Sequence, residues 1–304
     1  MADSLPSPTD FDLRLVRYFT VVAQQRHFGR AAEMLRVAQP SLSRQIRRLE
    51  KQLGARLLDR TPRGSQLTQA GEVFLTHATS LLEAANQAAA LTRAAADPTR
   101  ITIGYISGLL ITPAVRALRH QHPDAQVDTL HLDWNKPREA LLEHRVDVAI
   151  TRTPIRTDQL HVTILYDEPR VLLVSLEHRL AGKQYVTLDD IADEPLPRVA
   201  DPEWNAFWRI DPRPDGRRAP DGPLVETVED KFELIATGQA VAVVSAGTQG
   251  LAPHPDLTTI PLEGVEPCHV VLATRAGERH RLLADFRKAA ETHLTAPPTP
   301  AEAS

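Results

Sequence analysis

Apolar residues recur at helical spacing through the first part of the chain. Leu15, Phe19 and Val22 step by four and three, which predicts an amphipathic helix over 13–25. His27-Phe28-Gly29 interrupts it, and Gly29 is the expected N-cap of a short second helix over 30–35. Ala31 and Ala32 on its inner face are small enough to admit a crossing helix. Residues 36–39 read as a turn. Pro40 takes the first position of a third helix, where its missing N–H costs nothing. In that helix Leu42, Ile46, Leu49 and Leu53 step by 4, 3 and 4 and must face inward. Ser41, Arg44, Gln45, Arg48 and Lys51 are left on the outer side, flanked by Ser43 and Arg47. Gly54 ends the helix as a C′ glycine.

Residues 56–67, RLLDRTPRGSQL, suit a hairpin. Leu57-Leu58 and Gln66-Leu67 seed its strands, Pro62-Arg63-Gly64 forms its turn, and Arg60 and Arg63 lie near the tip. From Thr68 to Asp97 there is no proline and Gly71 is the only glycine, so one long helix is expected with Thr68 as its cap. Phe74, Ala78, Leu81, Ala85, Ala88, Thr92 and Ala95 make a heptad seam. The seam suits pairing with a second chain, and packing against the same chain's body is the alternative. Being mostly Ala, it buries little area.

Beyond Arg100 the periods alternate. Strands are expected over 101–104, 127–132, 146–150, 171–175, 241–244 and 270–274. Helices are expected over 114–121 (Thr112 as cap, Pro113 first) and 137–144. A helical turn falls at 188–192, another helix ends over 234–237, and a last one covers 280–293. Alternation of this kind indicates an α/β architecture. Crossings at 171–175 and 270–274 divide it into two lobes about a cleft. One lobe spans about 100–168 and 270–295, the other about 169–269. The stretch 211–223, DPRPDGRRAPDGP, reads as a surface loop that shields or links rather than as a second basic patch. The tail 296–304 is expected to be disordered.

Charge changes the picture. The whole chain has a formal charge of −4, which by itself argues against a nucleic-acid partner. Residues 1–68, however, hold 12 Arg and Lys against 6 Asp and Glu, a formal +6, leaving −10 for the remainder. A basic head on an acidic body suits DNA binding at one end only. The start, MADSLPSPTD, lacks the pattern of a signal peptide, and no apolar run approaches 18 residues, so a cytoplasmic location without a membrane span is expected. Cys268 is the single cysteine and is expected to be a buried, inert thiol. HExxH, GxSxG and Walker motifs are missing, and His120 and His122 do not share a helix face as a metal pair would. Neither an enzyme nor a resident metal or cofactor is expected.

Two short helices, the second basic on its outer face, form the pattern of a helix-turn-helix that seats one helix in the major groove. Gln, Ser and Arg hydrogen-bond base edges and phosphates. Base contacts come from the N-terminal part of such a helix, so Gln39, Ser41 and Arg44 are the main candidates, and Arg47 and Arg48 follow on the same surface. Arg60 and Arg63 on the hairpin would reach the phosphate backbone. In the body, ligands of open α/β sheets sit beyond the carboxyl ends of strands, where helix N-termini favour anions. This nominates Ser107 and Gly108, Trp134 and Asn135 after Asp133, Thr151 and Arg152, Asp201 after Ala200, and Thr227. Arg152 would pair with a carboxylate and Trp134 would cover an aromatic ring.

The head resembles the LysR-type transcriptional regulators. The matching elements are Phe19, Ala31-Ala32, Leu35, Gln39-Pro40-Ser41-Leu42-Ser43, Gln45-Ile46, Leu49-Glu50, Leu53-Gly54, Leu57, Arg60, Leu67-Thr68 and Ala70-Gly71. Leu58 and Gly29 depart from the family's usual Phe and Ser or Thr. The body's likeness is looser and rests on Gly104, His122-Pro123, the 146–150 strand and the order of elements. The resemblance implies an α/β protein with an all-α-type winged helix-turn-helix head (11–68), a long linker helix (69–97) and a two-lobed periplasmic-binding-protein-like effector domain (100–295). It also implies that Gln39, Pro40, Ser41, Ser43 and Arg44 touch bases of double-stranded promoter DNA. A homodimer or homotetramer paired through the linker helix, a small-molecule effector (carboxylates are common) and contact with RNA polymerase follow. The Tyr105–Thr112 segment is shorter than in members that bind aromatic acids, and Asp133 and Asp201 add negative charge. A thiol-redox-responsive or effector-independent DNA-binding protein of the same architecture is the alternative.

Overall fold

The computed structural model describes residues 12–61, 64–96, 99–250, 254–278 and 280–296. They fall into two units, one ending at Ala95 and the other beginning at Ala96.

The first unit opens with three helices, α1 (Leu13–Gln25), α2 (Phe28–Leu35) and α3 (Gln39–Leu53). Leu15, Val16, Phe19 and Val22 of α1 bury against Ala31 of α2 and Leu42, Ile46 and Leu49 of α3. Each large side chain removed from water contributes roughly 2 kcal/mol. The N-cap of α2 is His27, not Gly29. Its Nδ1 accepts from the N–H groups of Gly29 and Arg30 at 3.1 and 3.3 Å, so the helix begins two residues earlier than expected. α3 likewise begins at Gln39, which puts Pro40 second in the helix rather than first.

A hairpin follows, β1 (Leu58–Thr61) with β2 (Gly64–Leu67). A buried contact set ties it down. The Glu50 carboxylate accepts from the N–H groups of Leu57 and Leu58 at 2.8 and 3.2 Å, and Ser65 N–H donates to the Arg26 carbonyl at 2.9 Å. The long helix α4 (Gln69–Ala96) starts against this hairpin. Thr68 Oγ1 accepts from Gly71 N–H at 3.0 Å and donates to the Arg56 carbonyl at 2.6 Å. A Cβ on Gly71 would collide with the Leu57 carbonyl, which accounts for a glycine inside a helix.

Phe74, Leu75 and Leu82 are half-buried and Ala78 buried in the core of this same unit. The first turns of the expected seam therefore serve the chain's own head. Farther along, Leu81, Ala84, Ala88, Ala89 and Leu91 are exposed apolar positions, Thr92 of the expected seam is exposed with them, and Ala85 is half-buried.

In the second unit a five-stranded sheet has the order β4 (Gln126–Leu132), β3 (Arg100–Ile106), β5 (Val148–Arg152), β12 (Cys268–Arg275), β6 (Leu160–Glu168). The β3 strand runs parallel to β4 and β5, whereas β12 is antiparallel to β5 and β6. Helices α5 (Thr112–Gln121), α6 (Pro137–Leu142) and α9 (Arg281–His293) accompany this sheet. Its core includes Ile101, Ile103, Leu118, Ile150 and Phe286.

Only Pro169 separates β6 from β7 (Arg170–Ser175), which is the centre of a second sheet between β10 (Ala242–Ser245) and β11 (Leu257–Pro261). Alternation along β7 points Leu172 and Val174 into one cluster with Trp208, and Val171 and Leu173 into another with Ile235. The same lobe carries the parallel pair β8 (Leu196–Arg198) and β9 (Asp221–Leu224), helices α7 (Pro202–Trp208) and α8 (Val228–Ala236), and a 3₁₀ turn, Ala246–Gly250.

Several expectations shift. The strand expected over 146–150 lies at Val148–Arg152, and the helix expected over 137–144, α6, stops at Leu142. Ile111, not Thr112, precedes α5 and provides no side-chain cap. The strands β6, β8, β9 and β11 and the helix α7 were not expected. The 211–223 stretch is no plain surface loop, because Arg213 is buried within it beside Arg209, and Asp221–Leu224 is a strand. Of the tail, 297–304 lies outside the described residues.

Candidate nucleic-acid interface and interlobe cleft

The apolar face of α3 is committed to the head's core, so its opposite face is presented outward. Gln39, Pro40, Ser43, Arg44 and Arg47 line one hollow of about 610 Å³. Gln39, Pro40, Arg44, Arg47 and Arg48 are exposed, and Ser41 and Ser43 are half-buried. Arg44, Arg47 and Arg48 make no ion pair among the described residues. Their donors remain available to a partner, and five N–H groups on each guanidinium suit phosphate or the guanine edge. The backbone of Arg60 lies in β1, but its side chain is outside the described residues, as is all of Arg63. In sequence Glu50 is visible only as part of the Leu49-Glu50 motif. Its role of clamping the hairpin beside α3 depends on a contact across seven residues that spacing does not reveal.

In the body the nominated residues have diverse roles. Arg152 is at the end of β5, 8% exposed, and its hydrogen bonds are made within the chain. Its Nε donates to Glu168 at 2.6 Å, and its Nη1 and Nη2 donate to the carbonyls of Ser107 and Gly108 at 3.0 and 2.8 Å. It therefore braces the Ser107–Gly108 turn against Glu168 and spends most of its donors there, where a guanidinium free to pair with a carboxylate was expected. A Cβ on Gly247, from the 3₁₀ turn of the other lobe, would run into Glu168 and Arg152, so the ion pair sits where the lobes meet. Thr151 is 2% exposed inside β5 and, by strand alternation, points away from the face that Arg152 uses. Ser107 Oγ is 2.7 Å from His131 Nε2. Asp201 and Thr227 are helix caps: Asp201 accepts from the N–H groups of Glu203 and Trp204, and Thr227 from that of Asp230. Asn135 is exposed.

Trp134 follows β4 in the first lobe and lies 4.0 Å, centroid to centroid, from Trp204 of α7 in the second. Trp204 is in turn 5.4 Å from Trp208. The ring that was expected to cover a ligand thus bridges the lobes. A residue not nominated, Lys231 of α8, lies within electrostatic reach of Arg152, its Nζ 5.4 Å from the centroid of the Phe232 ring. Burial holds its ammonium down to about 8, with the Arg152 charge adding to the effect and Glu229 opposing it. A half-buried lysine within electrostatic reach of Arg152 makes a cationic corner. Sequence spacing hides it, because VEDKFEL looks like an ordinary solvated helix.

Cys268 is fully buried, its Sγ 3.5 Å from the Glu168 carbonyl oxygen, and burial pushes its thiol up to about 12. Such a thiol forms almost no thiolate near neutral pH. Among the described residues no group of three or more His, Cys, Asp or Glu side chains is placed to hold a metal ion, and no helix is long and apolar enough to cross a membrane.

Comparison with known proteins agrees with this two-part arrangement. Residues 13–72 match the bacterial regulatory helix-turn-helix protein model of the lysR family, and residues 95–295 match the LysR substrate binding domain. The HTH-type transcriptional regulator AlsR of Bacillus subtilis (strain 168) is 34% identical over 65% of this chain and 67% of its own length. BenM of Acinetobacter baylyi is 29% identical over 86% of this chain and 90% of its own. Among solved structures, full-length BenM superposes with a TM-score of 0.51 at 27% identity, covering 93% of this chain and 96% of that one. CbnR, a LysR family transcriptional regulator, superposes with a TM-score of 0.59 at 24% identity, covering 93% of this chain and 99% of that one. The matched domains account for most of the chain, and the head, hairpin, long helix and two-lobed body follow the same order, so this protein belongs to the LysR family of DNA-binding transcriptional regulators.

Proposed function

We propose that α3 reads promoter DNA through Gln39, Ser41 and Arg44, with Ser43, Arg47 and Arg48 beside them, and that a small anion in the interlobe cleft controls the outcome. The observation that carries the DNA reading is the outward hollow on α3, lined by Arg44 and Arg47 with unspent donors. The cleft reading rests on Lys231, whose ammonium lacks an ion-pair partner among the described residues and sits near the braced Arg152. A carboxylate there regains the charge neutralisation that burial denies Lys231. Binding shifts the lobes only to the extent that the ligand prefers one arrangement. The exposed stripe of Leu81, Ala84, Ala88 and Leu91 on α4 pairs with a second copy, so that two heads address a two-fold related site and present the assembly to RNA polymerase. The buried thiol weighs against a redox trigger. The protein acts in the cytoplasm and catalyses no reaction.

The test uses the full chain. Gel shifts on the DNA upstream of its own gene should show a retarded complex that Ser41→Ala with Arg44→Ala removes. A thermal-shift panel of small carboxylates should give at least one stabilising compound, and Lys231→Met should lose that response while keeping DNA binding. A complex unaffected by the double substitution refutes the head assignment. A carboxylate response unchanged in Lys231→Met refutes the cleft assignment.

A further inference from the structure

A second cavity, of about 740 Å³, lies in the lobe that carries β7, and none of the cleft residues described above lines it. That volume is in the range of small-molecule sites. Arg213 belongs to its lining and is only 6% exposed, yet its Nε, Nη1 and Nη2 have no hydrogen-bond partner. The neighbouring arginines are all engaged. Arg217 pairs with Asp215 and Asp189, Arg218 with Asp211, and Arg209 with Asp221 and two carbonyls. A buried guanidinium left without partners is costly, and the cost disappears when an anion arrives. Desolvation lowers the Arg213 pKa, with Asp211 opposing. The backbone holds the residue in place: Arg213 N–H donates to the Arg217 carbonyl at 2.8 Å, and Gly216 N–H donates back to the Arg213 carbonyl at 2.9 Å.

The rest of the lining narrows the ligand. Asp193 and Glu263 are exposed carboxylates at the cavity with no ion pair among the described residues. Leu188, Pro214 and Pro220 supply apolar wall. One unpartnered cation at depth, two unpartnered anions nearer solvent and an apolar side match a zwitterion with an aliphatic group. We propose that this cavity is a second small-molecule site that takes a free α-amino acid. The carboxylate meets Arg213, the ammonium meets Asp193 and Glu263, and the side chain lies against Leu188, Pro214 and Pro220. Because the Arg213 nitrogens are shielded from bulk water, entry includes a turn of that side chain toward the ligand. The site is separate from the interlobe cleft and goes beyond the cleft reading.

Calorimetric titration of the full-length protein with each of the twenty amino acids tests it. At least one aliphatic amino acid should bind, and its analogue lacking the amino group should bind at least tenfold more weakly. Arg213→Met should abolish binding, and Asp193→Asn with Glu263→Gln, both at exposed positions, should weaken it at least tenfold. Lys231→Met should leave it unchanged. Without ligand, Arg213→Met should melt at the same temperature as the parent or higher, since an unpaired buried charge is removed. Failure of all twenty to bind overturns the proposal. So does binding that survives Arg213→Met, binding that is lost in Lys231→Met, equal binding of the deaminated analogue, or a marked fall in melting temperature that reveals a structural partner for Arg213.

Discussion

The arginines of the head and those of the body are the same residue used in opposite ways. On α3, Arg44, Arg47 and Arg48 are exposed and make no ion pair among the described residues. In the body, Arg152 and Arg275 are buried and spend most of their donors inside the chain: Arg152 on Glu168 and two carbonyls, Arg275 on Glu278, Asp147 and the carbonyls of Leu141 and Val146. Charge count does not separate a binding surface from a structural brace. Unspent hydrogen-bond capacity does, because a donor already satisfied gains little from a new partner. By that measure Arg152 moves from ligand contact to framework, and Arg213 stands out as the body's exception.

The contrast can be broken at either end. The largest effect is expected at Glu168. Its removal strands Arg152 beside two carbonyls in a buried place, so Glu168→Ala should lower unfolding free energy by about 3 kcal/mol or more. Urea denaturation measures this, and a loss below about 1 kcal/mol would mean that the pair is no brace. Next comes Ser41→Ala with Arg44→Ala. Loss of base contacts worth roughly 1–3 kcal/mol each should weaken operator binding about a hundredfold while leaving the melting temperature alone. Quantitative footprinting decides it, and an unchanged footprint removes these residues from the interface.

The cleft should show a pH dependence of about one decade. Lys231 has its pKa held down to about 8, so its charge fades as pH rises through that value. Affinity for a carboxylate should therefore fall roughly tenfold between pH 7.5 and 9, and Lys231→Met should flatten the profile. A flat profile in the parent protein excludes Lys231 as the anion's partner. Smallest is the α4 cap: Thr68→Ala should cost about 1 kcal/mol, read by thermal unfolding of the full chain, with no selective effect on ligand response.

What could be read from the chain follows the reach of its interactions. The α3 pattern was legible because Leu42, Ile46 and Leu49 satisfy a short-range period and bury against neighbours close in sequence. The α2 start was misplaced because histidine is an uncommon cap, while His27 Nδ1 fills that role here. Strand β5 was placed two residues early because a strand buried on both faces shows no alternation to mark its end. That displacement put Thr151 and Arg152 in a loop where neither lies. Helix α7 went unseen since its Trp204 packs on Trp134, seventy residues away, and no local period records such a partner. Lys231 and Arg213 share the difficulty: both look like surface cations in sequence, and only folded burial distinguishes them.

The bridge between the lobes has an optical consequence. The chain holds three tryptophans, and all three belong to the single run Trp134, Trp204 and Trp208, with centroids 4.0 and 5.4 Å apart. Rings so close couple their transitions and exchange excitation. Tryptophan emission, excited at the red edge where tyrosine does not absorb, therefore reports the seam between the lobes, and no dye is required to watch that seam move.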